Sequence, residues 1–320
     1  MKSNYIQLLA LLIALSISAC TTEQPQEAVA ENTPIAEATS LSGTPLYAPE
    51  MAEERRVKLQ ADYDAAKQEY EANPDDADNI IWLGRRAGYL WQYKKAVSHF
   101  TQGIEKHPND ARMYRHRGHR YITLRQFDKA VADFEKAVIL IEGTEDVIEP
   151  DGAPNAAGIP TSTLHTNIWY HLGLAHYLQG NFEAARAAYE ACMAAATNND
   201  MRIATADWLY MTMRRLGQAE EAAEILVPIT EGMEIIENHA YHRRLMMYKG
   251  ERTPASLLSV EAGDDRSLNL ATQGYGVGNW YLYNDQPDKA RAIFKEVLQG
   301  DYWAAFGYIA AEAELVRLGE

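Results

Sequence analysis

Small and apolar residues return along the chain in one fixed order, separated by polar positions. Gly84 is followed by Ala96 and Phe100, and Gly118 starts a second copy thirty-four residues later. Two further copies keep the same offsets, with Gly173, Ala185 and Tyr189 and with Gly278, Ala290 and Phe294. A period of this length is typical of stacked helix pairs, because small residues at helix crossings let two axes approach closely. The pattern predicts an all-α chain of repeated helix–turn–helix units.

The predicted units and two terminal helices cover most of the chain. The units are residues 77–110, 111–144, 166–199, 203–236, 238–263 and 271–302. Unit 203–236 is weak, because Tyr210 stands where glycine is expected, and unit 238–263 is shortened, with Pro254 opening its second helix. Residues 49–76 and 303–320 are predicted to be capping helices, which a solenoid needs to stay soluble. In the second cap we expect Glu312 and Glu314 to face solvent.

The repeated motif resembles the tetratricopeptide repeat (TPR), in which an apolar-glycine pair on the first helix meets a small residue and an aromatic on the second. The resemblance covers residues 77–318. It implies a right-handed superhelix, an α-solenoid of about five to six units, with the first helices lining a concave groove. One repeat cannot bury its apolar face alone, so repeats stack on one another and form an extended surface. Function in such proteins usually means presenting this surface.

The first twenty residues have the pattern of an export signal. Lys2 precedes an apolar run over residues 6–17, and two small residues then lead into Cys20. The run is too short for a typical membrane span. Its end resembles the lipobox of bacterial lipoproteins, which implies cleavage before Cys20 and its modification with a diacylglyceryl group and a further acyl chain such as palmitate. The alternative is a plain signal peptide with an incidental cysteine.

Residues 21–48 are predicted to be a disordered tether. They are acidic, contain several prolines and hold no Lys or Arg, so they cannot bury enough apolar area to offset their chain entropy. Thr21 stands where an aspartate would retain a lipoprotein in the inner membrane. By the same resemblance we expect the outer membrane of a Gram-negative bacterium, with the protein facing the periplasm or the cell surface.

Composition narrows the classes of function. The chain has 320 residues, 47% of them hydrophobic and 23% charged, which is ordinary for a globular protein. Its formal net charge of −15 argues against general nucleic-acid binding, which needs a basic surface. Apart from Cys20, Cys192 is the one thiol. It occupies a small-residue position of a repeat, so we expect it to be buried and inert.

Residues 142–163 interrupt the repeats as an insertion. Because they are rich in glycine and proline, we predict a loop without regular structure, and long loops of this kind tend to be functional or disordered. The acids of the insertion include Glu145, Asp146, Glu149 and Asp151. They suggest a calcium loop, but their spacing matches no familiar pattern of calcium ligands.

The TPR resemblance assigns ligand contacts to the first helices of the units. The groove positions carried over are Arg85, Tyr89, Arg112, Arg115, His119, Tyr170, Tyr177, Tyr275, Asn279 and Tyr283. Independently of the resemblance, Arg112, Arg115 and His119 share one helix face at i, i+3 and i+7. Residues 111–126 around them hold five arginines, two histidines and no acid, although the whole chain is acidic.

Two interpretations of this arginine-rich helix stay open. Arginine forks suit carboxylate, sulfate or phosphate groups, which favours a groove that binds anions. The other interpretation is that the arginines pair with acids of neighbouring helices. We expect such a pair between Arg117 and Asp133, and we expect Arg120 and Arg125 to be solvated.

Other chemistry has little support in the sequence. Histidines lie three or five residues apart at 116 and 119, 171 and 176, and 239 and 242. Zinc needs three or four convergent ligands, and neither a cysteine pair nor an HExxH pattern is present. The chain also lacks a GxSxG elbow and a GxxxxGK[ST] phosphate loop. We expect no metal and no cofactor, and we expect the glycine-rich run 274–278 to permit close helix contact.

These observations predict a non-enzymatic cell-envelope scaffold, a lipoprotein that binds a protein or peptide segment in the concave groove. Arginines would take acidic or terminal carboxylate groups, and tyrosines would pack the stem of the segment. The alternative is a lipoprotein that binds acidic glycans or small anionic ligands through Arg112, Arg115 and the tyrosines. A third hypothesis is an enzyme that uses His119 or His171 as a base. The fold alone does not select a function.

Overall fold

A computed structural model describes residues 35–152, 154–259 and 266–320. It confirms the predicted all-α superhelix of paired helices. Helices α1 to α9 are Glu53–Ala72, Ala77–Tyr89, Tyr93–Lys106, Ala111–Thr123, Phe127–Ile141, Leu164–Gln179, Phe182–Ala195, Asn199–Arg215 and Ala219–Leu226. Helices α10 to α15 are His239–Tyr248, Pro254–Leu258, Arg266–Asn269, Tyr275–Leu282, Pro287–Val297 and Phe306–Arg317, and a π-helical turn covers Leu270–Gly274.

Helix pairs occupy the predicted units in order. α2 with α3, α4 with α5, and α6 with α7 lie in the first three units, and α8 with α9 lies in the weak unit. α10 and α11 form the shortened unit, and the π-helical turn, α13 and α14 form the last one. We use the term inner face for the surface formed by the first helices of these units, α2, α4, α6, α8, α10 and α13.

The glycine of each clear repeat makes room for the aromatic of the same unit. A Cβ atom on Gly84 would lie 2.5 Å from the Phe100 ring, and one on Gly278 would lie 2.5 Å from the Phe294 ring. These aromatic side chains are at most 1% exposed. The repeat pattern thus records a close approach of two helices that any larger side chain would prevent.

Different signals start the first and the second helices. Several first helices begin at a capping side chain, as at Asp76, Asp110 and Asn198, which accept hydrogen bonds from backbone N–H groups of the first turn. Second helices follow a turn with one residue in the left-handed region. In three of these turns that residue is not glycine: Trp91 has φ 62°, Arg125 has φ 61° and Asp285 has φ 58°. This conformation is uncommon for residues with a Cβ. The side chains of Trp91 and Arg125 make tertiary contacts, with Trp303 and Glu312.

Residues 35–48 differ from the predicted tether. Ala38–Thr39 (β1) and Pro45–Leu46 (β2) form a short antiparallel hairpin, in which Ala38 and Leu46 are buried. Trp303 Nε1 donates to the carbonyl oxygen of Tyr47 at 2.6 Å. This part of the segment is therefore ordered, because its few apolar groups pack on the repeats. Residues 21–34, the predicted signal peptide 1–20 and Cys20 lie outside the described residues.

The C-terminal helix α15 turns inward instead of forming an outer cap with a solvated acidic side. Glu312 is 4% exposed and Glu314 is 0% exposed, which corrects the expectation that both face solvent. Glu312 forms an ion pair with Arg125 at 2.9 Å, and Glu314 forms one with Arg215 at 2.5 Å. Because these arginines follow α4 and end α8, α15 lies against the inner face. The expectation that Arg125 is solvated is also wrong.

None of the helices in the part of the chain that the structure describes is long and apolar enough to cross a membrane.

Candidate functional site

The residues predicted to line the groove fall into three groups. One group shares a cavity of about 190 Å³ between α2, α4 and the insertion: Arg85, Tyr89, Arg115 and His119. A second group is buried between first helices: Tyr170, Tyr177, Tyr275 and Asn279. The third lies outside both places: Arg112 and Tyr283. We call the first place the arginine cavity and define it by Arg85, Tyr89, Arg115, His116, His119 and Arg120.

Consecutive turns of two neighbouring helices build the arginine cavity. α2 contributes Arg85 and Tyr89, and α4 contributes Arg115 and His119. Residues four apart lie on the same helix face. On α2 this spacing places Arg85 beside Tyr89, and on α4 it places Arg115 beside His119. The two helices therefore bring four of the groove positions that the TPR resemblance implied to one cavity.

The insertion closes one side of this cavity. Arg115 Nε lies 3.0 Å from Glu149 Oε2, and both side chains are nearly buried. The Arg85 guanidinium donates to the carbonyl oxygen of Pro150 at 2.7 Å, and that of Arg86 donates to the carbonyl oxygen of Gly152 at 3.3 Å. A non-helical stretch of this chain that carries an acid is thus held by arginines of the inner face.

Arg120 adds a third guanidinium to the cavity, and the insertion contributes the carboxylate of Asp151 to the same lining. The Arg120 guanidinium lies 5.3 Å from the centre of the Tyr93 ring. Burial lowers the pKa of Arg120 from its ordinary value, but an arginine remains charged in a protein. The sequence interpretation of Arg120 as a solvated residue missed its place in the cavity, although its position next to His119 on a groove-lining helix was a usable signal.

The imidazoles beside the arginines are neutral. Burial, together with Arg120, holds the pKa of His119 well below its ordinary value, and burial with Arg115 does the same for His116. Burial lowers the pKa of His171 to about 3. The rings of His119 and His171 lie 4.6 Å apart. Positive charge in the arginine cavity therefore comes from the guanidinium groups.

The tyrosines of the second group are structural. Tyr275 donates its hydroxyl to the Tyr177 hydroxyl at 2.7 Å, and Asn279 Nδ2 donates to the same oxygen at 2.9 Å. Burial raises the pKa of Tyr177 to about 12. Tyr170 is also buried, and its hydroxyl donates to that of Tyr241 at 3.3 Å. These four residues therefore do not line an open groove, because side chains of α10 and α13 meet those of α6 there.

Arg112 and Tyr283 also differ from their predicted roles. Arg112 is held by Asp110 at 2.6 Å and by Asp78 at 2.5 Å, so the interpretation as interhelical ion pairs holds for it. The Tyr283 ring lies under the guanidinium of Arg214 at 4.3 Å. Neither side chain reaches the arginine cavity.

The acids and the thiol suggested for other chemistry have structural partners. Asp146 accepts hydrogen bonds from Thr163 Oγ1 and from the backbone N–H of His165, and so helps to start α6. Arg117 pairs with Asp133 as expected, at 2.7 Å. Cys192 is buried, which raises the pKa of its thiol to about 12. Within the described ranges, no three His, Cys, Asp or Glu side chains are grouped so that they could hold a metal ion.

Solved structures of other repeat proteins are similar to this chain. YrrB, a TPR protein with an unusual peptide-binding site, is 16% identical, with 79% of this chain and 99% of YrrB covered and a TM-score of 0.43. PilW, a widely conserved type IV pilus biogenesis factor, is 16% identical, with coverage of 83% and 100% and a TM-score of 0.42. A TPR protein from Parabacteroides merdae is 14% identical, with coverage of 81% and 93% and a TM-score of 0.46.

Family comparisons identify the repeats themselves. No curated protein matches the sequence. Models of the tetratricopeptide repeat match residues 111–140, which are α4 and α5, and residues 166–199, which include α6 and α7. The same contact of a glycine with an aromatic ring recurs in units 77–110 and 271–302. Residues 111–140 and 166–199 of this chain are tetratricopeptide repeats.

Proposed function

We propose that this protein is a cell-envelope scaffold, anchored by a lipid on Cys20, that holds an acidic segment of a partner protein in the arginine cavity. TPR proteins generally act as non-catalytic scaffolds for protein–protein interaction, which supports the general class. The anchor rests on the lipobox-like end of the signal sequence, and the outer membrane rests on Thr21. The binding site rests on the geometry of α2, α4 and the insertion.

One observation carries the proposed site. The arginines of the inner face already hold an acid from this chain, Glu149. With Asp151 in the lining, two acids of the insertion meet three guanidinium groups, those of Arg85, Arg115 and Arg120. A partly buried guanidinium forms charge-assisted hydrogen bonds that are stronger than neutral ones. A carboxylate from another protein would therefore form charge-assisted hydrogen bonds with Arg120, as Glu149 pairs with Arg115.

The uncharged groups of the arginine cavity and its net charge limit which ligands it can bind. Tyr89 and His119 add donors and flat surface without charge. Three guanidinium groups and two carboxylates leave one positive charge, so the cavity has the charge to accept one carboxylate from a segment that enters beside the insertion. A heavily sulfated glycan carries many anionic groups and would leave most of them unpaired there.

The binding proposal is tested by selection from a displayed peptide library against the full-length protein in detergent. We expect Asp or Glu to be enriched at one position, and we expect the selected peptides to lose about 10-fold or more in affinity for Arg120→Ala. Arg186→Ala is the matched control, because Arg186 pairs with Glu190 on the solvent side of α7, and it should bind as the wild type does. A library without acidic enrichment, or a uronic oligosaccharide that binds in an Arg120-dependent way while no peptide does, contradicts the proposal.

The anchor has its own test. Cells grown with labelled palmitate should incorporate the label into the wild-type protein and not into Cys20→Ser, which should be released from the membrane fraction. Cys192→Ser keeps Cys20 and should be labelled like the wild type. Absence of label from the wild type, or an unchanged label in Cys20→Ser, contradicts the lipid anchor.

A further inference from the structure

A second cavity, of about 330 Å³, opens on the inner face between α8, α10, the π-helical turn and the start of α15. We call it the aromatic cavity and define it by Trp208, Tyr241, Arg244, Thr272, Phe306 and Gly307. Its size is at the lower end of the range for small-ligand pockets, which are typically apolar with a few placed polar groups. Nothing in the proposed function uses it.

Polar groups of this cavity lack acceptors. Trp208 is 1% exposed, and its indole N–H has no hydrogen-bond partner among the described residues. Helix α15 begins at the cavity, and its cap residue Ala305 has no side chain that could accept from the first N–H groups. An occupant with a carbonyl oxygen would satisfy donors that are otherwise left unpaired.

The charges of the cavity favour an occupant that is neutral at this point. Arg244 donates to Asp207 through two buried hydrogen bonds and to the carbonyl oxygen of Thr272 at 2.8 Å. Its charge is therefore balanced within the protein. The carboxylate of Glu237 lies at the rim and disfavours a second anion.

The wall of the cavity includes an irregular piece of helix. Residues Leu270–Gly274 form a π-helical turn, and Ala271 and Thr272 of this turn line the cavity. Such turns are rare and occur frequently at functional sites. This is a second observation, independent of the unpaired indole.

The two cavities share a wall. The Phe306 ring, which lines the aromatic cavity, lies 5.4 Å from the His119 ring of the arginine cavity and 5.5 Å from the His171 ring. A ligand that fills one cavity therefore lies within about 10 Å of the other, which is about three residues of extended chain.

We propose that the aromatic cavity receives one bulky apolar side chain of the same partner segment whose acidic group binds in the arginine cavity, a proposal that rests on the proposed function. The aromatic walls exclude water from that side chain, and the backbone carbonyl beside it accepts from the Trp208 indole. The partner segment thus carries an acid and an aromatic or branched apolar residue about three positions apart.

The probes are two labelled hexapeptides, one with an aspartate followed three residues later by phenylalanine and one with alanine in place of phenylalanine. Binding to the full-length protein in detergent is measured by fluorescence anisotropy. We expect the phenylalanine peptide to bind the wild type about 10-fold or more tightly than the alanine peptide. Thr272→Trp and Ala240→Trp, which fill the cavity from two different elements, should abolish that difference. Thr230→Trp places the same ring on an exposed threonine and should preserve it.

The outcomes separate this inference from the proposed function. If both peptides bind equally and both are weakened by Arg120→Ala, the acid site stands and the aromatic cavity is not an anchor site. If the phenylalanine advantage persists in Thr272→Trp and Ala240→Trp, the side chain binds elsewhere and the inference is wrong. If neither peptide binds, both proposals fail together. A neutral sugar that binds in a Thr272-dependent manner while the phenylalanine advantage is absent assigns the cavity to another ligand class.

Discussion

Replacing Glu314 by glutamine removes the charge that holds the C-terminal helix against the inner face. Glu314 is 0% exposed, and its Oε1 accepts from Arg215 at 2.5 Å and from Arg317 at 2.6 Å. Glutamine keeps the shape of the side chain but leaves two arginines with no carboxylate. Both arginines are largely buried, with 16% and 25% of their side chains exposed.

The expected cost follows from this burial. Removing one partner of a buried ion pair costs about 3–5 kcal/mol, because the remaining charge stays desolvated. Water reaches part of Arg215 and Arg317 here, so we expect Glu314→Gln to lower the free energy of unfolding by about 2–4 kcal/mol. Urea denaturation followed by circular dichroism at 222 nm measures the change as a lower midpoint.

A surface pair is the matched control. Asp288 pairs with Arg291 at 3.0 Å, but its side chain is 97% exposed, so Asp288→Asn should change the free energy of unfolding by less than about 1 kcal/mol. If Glu314→Gln unfolds at the same urea concentration as Asp288→Asn, the buried carboxylate does not hold α15 in place. The reasoning about the closed inner face would then be refuted.

Two further predictions concern the same interior. His116, His119 and His171 stay neutral when folded, because burial lowers their pKa values. The unfolded chain takes up protons on these groups below about pH 6.5, at about 1 kcal/mol each, so stability should fall by about 3 kcal/mol between pH 7 and pH 5.5. His116→Gln should remove about a third of this loss, measured from urea midpoints. Unchanged midpoints at the two pH values would contradict the neutral buried imidazoles. Gly307→Ala should lower the free energy of unfolding by about 1–3 kcal/mol, because the added Cβ would collide with the Ala271 carbonyl oxygen. Gly232→Ala is the control, since its Cβ meets open space and should leave stability unchanged. Equal thermal midpoints for the two variants would show that α15 can shift away from the π-helical turn.

Local features made the helix pairs predictable. The contact of Gly84 with Phe100 lies within one unit, so the two residues recur in the sequence at a short, fixed spacing. The Arg117–Asp133 pair was predictable for the same reason, since it joins the two helices of one unit. On the first two units, four groove positions implied by the TPR resemblance share one cavity: Arg85, Tyr89, Arg115 and His119.

The sequence by itself therefore determined the repeated helix pairs and the cationic face of α4, because short-range spacing decides which side chains share a helix face and which helices pack as a pair. Only the tertiary structure decided how the inner face is filled. Arg125 and Glu312 are 187 residues apart, and Tyr177 meets Tyr275 across 98 residues, so no periodic pattern records these contacts. They depend on the accumulated curvature of all the units between them, which brings α13 to α6 and α15 onto the inner face. Two small cavities lie there, where an open groove was predicted.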